Sequence, residues 1–198
     1  MEGYYQEIVR RFRVLLDEVS PLQERFPRLF KMITGSCHGI DHWTRVGIYT
    51  LIISRGLREQ ERVSTPCLVA EGALENAGVY AAFFHDCARA SDGFEFDHGR
   101  AGNQVWEYYA KERGLEKDFR QAVSQALLFH VDHPAVDPAA NEVTMCLCNA
   151  DRLDRVRLGE IVKPGLMYPD GVWKRLEPYT QGLLRQVTLA RVKADLGL

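Results

Sequence analysis

Six histidines punctuate the chain, at His38, His42, His85, His98, His130 and His133. Two acids sit where acids are costly. Asp86 follows the apolar run Val79-Tyr80-Ala81-Ala82-Phe83-Phe84 and His85, and Asp151 follows Met145-Cys146-Leu147-Cys148-Asn149-Ala150. An ionised carboxylate at the edge of such a segment must be paired or bound to a cation. Imidazole nitrogen and carboxylate oxygen together suit divalent zinc, iron, manganese and similar ions. The expected chemistry is therefore that of a metal site.

The elements needed to position these groups are helices. Tyr4–Val19 places Tyr5, Ile8, Val9, Phe12, Leu15, Leu16 and Val19 at three- and four-residue steps. Leu22–Ile33 is a weaker helical stretch that Pro27 interrupts. A helix capped by Asp41 runs to about Leu57, and Leu68–Cys87 reads as a central helix buried on several sides. Further helices are expected at His98–Arg113, Leu115–His130, Asn141–Leu158 and Leu183–Leu196, with Gly114 and Gly159 as stops. No strand pattern or internal repeat is evident. The fold expected is all-α, a single-domain helical bundle over residues 1–198, with the N-terminal helices (4–33) and the C-terminal helix packed on a core. In that order the ligand candidates fall near the ends of successive helices, and a bundle builds metal sites from side chains on facing helices.

The pieces His42-Trp43-Thr44-Arg45-Val46, Phe84-His85-Asp86-Cys87-Ala88-Arg89 and Asn149-Ala150-Asp151-Arg152-Leu153-Asp154 resemble the motifs of the HD-domain metal-dependent phosphohydrolase superfamily. The resemblance runs from about His38 to Leu158. It implies that His42, His85, Asp86 and Asp151 hold one divalent ion (Mn, Fe, Co, Ni, Zn or Mg). It also implies that His98 and His130 add a second ion which Asp86 bridges, so that Asp86, His98 and His130 count as catalytic. A bound ion brings the pKa of water toward neutrality and neutralises charge on phosphoryl oxygens. Many members carry Gly and then a cation after His-Asp; here Ala88 stands in the Gly position and Arg89 keeps the cation.

Around that set, Arg45, Arg89 and Arg100 are candidate phosphate contacts, Arg45 reading equally as a structural salt bridge, and His38 faces substrate or supports a ligand. Asp154 either accepts a hydrogen bond from a ligand histidine or pairs on the surface with Arg155 or Arg157. Arg152, Arg155 and Arg157 are interleaved with acids and read as a solvated helix face. His133 reads as solvent-exposed or substrate-side, and Trp43 as core. Cys87 is expected to pack rather than ligate.

Composition bounds the rest. The chain has 198 residues, 46% of them hydrophobic and 26% charged, with 25 Lys+Arg against 27 Asp+Glu. The near-zero net charge excludes an extended nucleic-acid surface, and no apolar run approaches the ~20 residues that span a bilayer. Five cysteines without a CxxC pair are not a disulfide framework. The expectation is a soluble, cytoplasmic enzyme that hydrolyses a small phosphorylated metabolite, a nucleotide first. Two rivals stand beside it: a di-iron oxygenase using the same His/Asp set, and a non-catalytic module that keeps its metal for structure. The 163–171 loop and the C-terminal helix are open as lid or homodimer contact.

Overall fold

A computed structural model describes residues 1–29, 37–93, 95, 97–132, 140–163, 167 and 170–198. Among them there is no strand. Helix α1 spans Glu2–Val19 and buries the seven residues its periodicity nominates. Helix α2, Ile40–Glu59, is enclosed on almost every side. The remaining long helices are α3 (Ala73–Phe84), α4 (His98–Glu112), α5 (Lys117–Phe129) and α6 (Glu142–Asp154). Three short ones follow: α7 (Asp170–Trp173), α8 (Thr180–Gln186) and α9 (Leu189–Leu196).

Helix α2 is the hub. It packs most extensively on α6 and α3, while α5 packs on α4, α6 and α3, and α1 and α9 cover one side. The core is one continuous cluster, with Phe12, Trp43, Phe83, Phe84 and Trp106 at its centre. Edge-to-face contacts order it: Phe83 meets Phe12, Trp43 and Phe84 with ring centroids 5.1–5.7 Å apart. Trp43 is thus core, and its indole N–H donates to the His38 carbonyl (2.8 Å).

Several boundaries differ from the sequence reading, each for a local reason. The central helix expected over Leu68–Cys87 starts only at Ala73. Pro66 opens a separate 3₁₀ turn, and Gly72 takes a left-handed conformation (φ 72°) before the helix begins. Gly39, not Asp41, precedes the first turn of α2, and Asp41 instead binds Arg45 one turn on. Asn141 caps α6 by accepting from the Thr144 N–H; the helix ends at Asp154 and passes through a 3₁₀ turn to Gly159 (φ 77°). The expected C-terminal helix is two, because the chain leaves helical geometry at Val187 and Thr188 caps α9. Ser20–Gln23 forms a 3₁₀ turn where a helix was expected; residues 30–33 of that stretch, His133 and most of the 163–171 loop lie outside the described residues.

Two glycines set the approach of α4. A Cβ at Gly99 would overlap the Leu127 carbonyl oxygen near the end of α5, and one at Gly102 would overlap the Phe84 carbonyl oxygen at the end of α3. Only glycine lets α4 lie this close to both helix ends. This is what brings His98, the first residue of α4, to His85-Asp86 and to His130.

Candidate metal centre

Six side chains from the ends of the helices converge. His42 comes from the first turn of α2. His85 and Asp86 follow the last residue of α3, His98 opens α4, His130 follows α5, and Asp151 lies in the last turn of α6. They form two adjoining groups: His42, His85 and Asp151, and Asp86, His98 and His130, the ligand atoms of each within 4.8 Å of one another.

All four imidazoles turn the same way. The Nδ1 atoms face outward: His85 to the Ala82 carbonyl (2.8 Å), His98 to the Glu95 carbonyl, His130 to the Leu127 carbonyl (2.8 Å), and His42 to Asp154 Oδ2 (2.8 Å). The Nε2 atoms face inward. A carbonyl only accepts, so the hydrogen-bond network assigns Nδ1–H to His85, His98 and His130, leaving their Nε2 atoms as lone pairs. Yet His98 and His130 bring Nε2 atoms to 2.9 Å, and His42 and His85 to 3.2 Å. Facing lone pairs repel unless a proton or a cation lies between them.

Asp86 stands between the groups. Its Oδ2 is 3.6 Å from His42 Nε2 and 3.5 Å from His85 Nε2, while Oδ1 is 3.4 Å from His98 Nε2. Asp151 Oδ1 is 3.3 Å from His42 Nε2. Asp86 Oδ1 is buried without a hydrogen-bond partner, a state that costs free energy unless something else satisfies it. Metal–nitrogen bonds of about 2.1 Å put neighbouring ligands about 3.0 Å apart in an octahedron and about 3.4 Å in a tetrahedron. The spacings of 2.9–3.6 Å match those edges, and the donor set of four imidazoles and two carboxylates fits one or two divalent ions.

The electrostatics agree. Burial alone would raise the Asp86 carboxyl, but the imidazoles of His85, His42 and His98 hold it well below the usual carboxylate range. Asp151 is likewise held far down, chiefly by His42 against burial. Burial pushes His85 down to about 3 and lowers His130. Burial also works against charge on His42, but the carboxylates of Asp151, Asp154 and Asp86 together lift it to about 10. In the metal-free protein, therefore, His42 carries the proton that the surrounding anions demand.

An outer brace fixes His42. Asp154 is fully buried; while Oδ2 accepts from His42, Oδ1 accepts from Arg45 Nε at 2.7 Å. Arg45 in turn donates to Asp41 and to the Val187 carbonyl, both at 2.9 Å. Both readings of Asp154 hold in part: it supports a ligand histidine, and its Oδ2 also lies 3.5 Å from Arg157 Nη1, in the interior and not on the surface. Of the two readings of Arg45, the structural salt bridge is the one that fits: at 3% exposure, with its donors on Asp154, Asp41 and Val187, it is a strut and not a phosphate contact. The break between α8 and α9 thus has a use, since it supplies the Val187 carbonyl to this strut.

The centre opens into a cleft of about 280 Å³, lined among others by His38, Asp86, Arg89, His98, His130 and Asp151. The Asp151 side chain is 26% exposed on this side, against 3% for Asp86. Arg89 lines the cleft as expected, holding the turn after α3 through the Ser91 and Gly93 carbonyls and lying 3.6 Å from Asp86. Arg100 does not line it; its side chain is 75% exposed, 3.8 Å from Asp97. Of the three arginines read as a solvated face, Arg155 is exposed and pairs with Glu160 in keeping with that reading, whereas Arg152 is buried; all three also line the cleft. The 3₁₀ turn after Asp154 carries Arg155 and Arg157 to the mouth that Asp151 borders. Their proximity to Asp151 in sequence was the available signal. Cys87 is buried, with its thiol pushed up by burial and by Asp86, and all five cysteines are free.

Larger grooves exist, of about 520 and 630 Å³, along α1 and α3 and near the start of α5. Neither contains the converging His/Asp set, so size does not locate the chemistry. The fold and the centre together define an all-helical protein with a buried His/Asp site able to hold metal. Comparison with protein-family models, with curated proteins and with solved structures found no match. No described helix is long and apolar enough to cross a membrane.

Proposed function

We propose that the chain is an HD-type metal-dependent phosphohydrolase that acts on a small phosphorylated metabolite, a nucleotide being the first class to try. The observation that carries this reading is the pair of ligand groups with Asp86 standing between them, every one of the four imidazole Nε2 atoms turned inward and Asp86 Oδ1 lacking a hydrogen-bond partner. His42, His85, Asp86 and Asp151 would hold one ion, and Asp86, His98 and His130 a second. Such ions supply an activated water near neutral pH and offset charge on the reacting phosphoryl group.

The protein's own contribution is positioning. The carbonyls of Ala82, Glu95 and Leu127 fix the tautomers of His85, His98 and His130, and Asp154 fixes His42. Asp151, on the open side, can accept a hydrogen bond from an incoming water and so orient it. Arg89, Arg152, Arg155 and Arg157 line the cleft among the carboxylates of Asp86, Asp92, Glu95 and Asp151, and a guanidinium there can bind phosphate oxygens at two points. A phosphate contact of that kind favours hydrolysis over the oxygenase reading. Cytoplasmic location is part of the same proposal.

The test is a screen of phosphorylated metabolites with phosphate detection, run with Mn, Co, Ni, Zn and Mg in turn. Release that disappears in Asp86→Asn supports the reading. No release from any substrate with any of the five metals refutes it. Two irons per chain in protein purified without added metal, with a mixed-valence spectrum, would favour the oxygenase.

A further inference from the structure

Outside the six-ligand centre, a different donor set meets at the rim of the cleft. Cys37 Sγ lies 3.2 Å from His38 Nδ1 and 3.3 Å from Asp92 Oδ1, and His38 Nδ1 lies 3.0 Å from the same Asp92 oxygen. These three ligand atoms fall within 4.8 Å of one another. We propose that Cys37, His38 and Asp92 form a third metal site, separate from the buried centre, for a borderline-soft divalent ion such as zinc.

Three observations support it. The set mixes sulfur, nitrogen and oxygen, the combination that selects zinc and cobalt over magnesium or calcium. The backbone that presents it is pinned, since Trp43 Nε1 donates to the His38 carbonyl (2.8 Å) and Arg157 Nε to the Cys37 carbonyl (2.8 Å). The His38 N–H also points at Asp92 Oδ1 (3.3 Å), tying the two sides of the site together. Cys37 is the exposed cysteine, whereas Cys87, Cys146 and Cys148 are buried, so an ion from solvent reaches this thiol first. A tetrahedral zinc bound to sulfur and nitrogen has edges of about 3.4–3.6 Å; the side chains need to part by only a few tenths of an ångström. Three protein ligands leave a fourth position for water or a substrate oxygen. His38 and Asp92 line the cleft, so an occupied rim site adds positive charge where an anion enters. An activated nucleophile is the lesser reading of this cysteine, because burial and the Asp92 carboxylate raise its pKa and favour the thiol.

The test is titration of the full chain with cobalt(II), read by thiolate-to-cobalt charge-transfer absorption in the near ultraviolet and by bound metal per chain. Wild type is expected to show the band and to bind one ion more than Cys37→Ser, which loses both. Asp92→Asn should weaken the band-forming site at least about tenfold. Asp86→Asn should lose ions of the buried centre yet keep the band, which separates this site from the proposed activity. Absence of the band in wild type, its persistence in Cys37→Ser, or its loss in a folded Asp86→Asn protein would each overturn the assignment.

Discussion

Asp154→Asn is the sharpest probe of how the centre is built. The carboxylate serves two buried donors at once, His42 Nδ1 at 2.8 Å and Arg45 Nε at 2.7 Å. An asparagine of the same shape has one accepting oxygen; its amide nitrogen would face the other donor. If the oxygen stays with Arg45, His42 loses its orientation. If it stays with His42, the Arg45 charge is left buried against Asp41 alone. Breaking a buried pair by removing one partner costs about 3–5 kcal/mol. Because one hydrogen bond survives, about 3 kcal/mol is expected. For a domain of this length that corresponds to a fall in Tm of about 6–12 °C. Loss of such an outer partner also weakens metal binding about 10–100-fold.

The two effects are separable with Glu142→Gln as control. Glu142 lies at the opposite end of α6. It accepts from Ser64 Oγ (2.6 Å) and the Thr65 N–H (3.1 Å), tying down the segment that precedes α3. Leaving those groups short of an acceptor costs about 1–3 kcal/mol and touches no ligand. The assay is calorimetric melting of metal-free protein together with manganese or zinc titration of both variants. Asp154→Asn should lose stability and affinity, and Glu142→Gln stability alone. If Asp154→Asn melts lower yet binds metal as tightly as wild type, the claim that Asp154 holds His42 in its ligating tautomer is wrong.

Gly102→Ala should drive α4 off the Phe84 carbonyl; overpacking of about 1–3 kcal/mol exceeds the roughly 0.5–1 kcal/mol gained from helix propensity. Bound metal should fall by one ion per chain as His98 withdraws, measured by elemental analysis against melting temperature. Metal uptake at pH 7 should release a proton, because His42, lifted to about 10, must give one up to ligate; calorimetry in buffers of different ionisation heat measures it. In the metal-free protein the same raised pKa contributes stability that is complete below about pH 6.5 and lost as pH rises toward about 10, so apparent metal affinity should climb over that window. Arg152→Ala should raise KM for a phosphorylated substrate at least about tenfold with a smaller change in kcat, as expected for one lost charged hydrogen bond; an unchanged KM would remove Arg152 from the substrate site. The Glu142 carboxyl is held below its usual value by the hydroxyls of Ser64 and Thr65 against the effect of burial. Its contribution is present above about pH 4.3 and lost below, so the gap in Tm between Glu142→Gln and wild type should close as the medium is acidified.

What could be read in advance follows from which interactions are local. The buried face of α1 is a matter of residue spacing, and spacing shows in the chain. So does the ligand set: Asp86 and Asp151 announce themselves as charges at the ends of apolar runs, wherever the chain goes afterwards. Arg45 illustrates the limit. One turn after His42, it reads as either a phosphate contact or a salt bridge until Asp154 and the Val187 carbonyl, more than a hundred residues away, claim its donors. Arg157 departs in the opposite sense: read as part of a solvated face, it is partly buried beside the cleft, where its Nε donates to the distant Cys37 carbonyl. Helix starts were misplaced at Gly72 and Thr188, whereas the glycine stops at Gly114 (φ 64°) and Gly159 (φ 77°) and the start at Asn141 lie where the sequence puts them.

The centre also explains why the chain tolerates so much buried charge. His42, Arg45, His85, Asp86, His98, His130 and Asp154 are each under a tenth exposed, a burden that a structural core would replace with apolar side chains at little cost. The arrangement is graded instead of uniform. Arg45 and Asp154 neutralise one another with close, well-aligned hydrogen bonds and form the rigid outer layer. The inner layer is left unresolved, with lone pairs opposed at 2.9 Å and a carboxylate oxygen lacking a partner. A protein selected only for stability would have reversed that order, satisfying the inner groups and exposing the outer ones. The unresolved layer lies at the inner end of a cleft that admits solvent, lined by four arginines and four carboxylates, and opposed lone pairs beside a buried carboxylate are the arrangement that a cation relieves best.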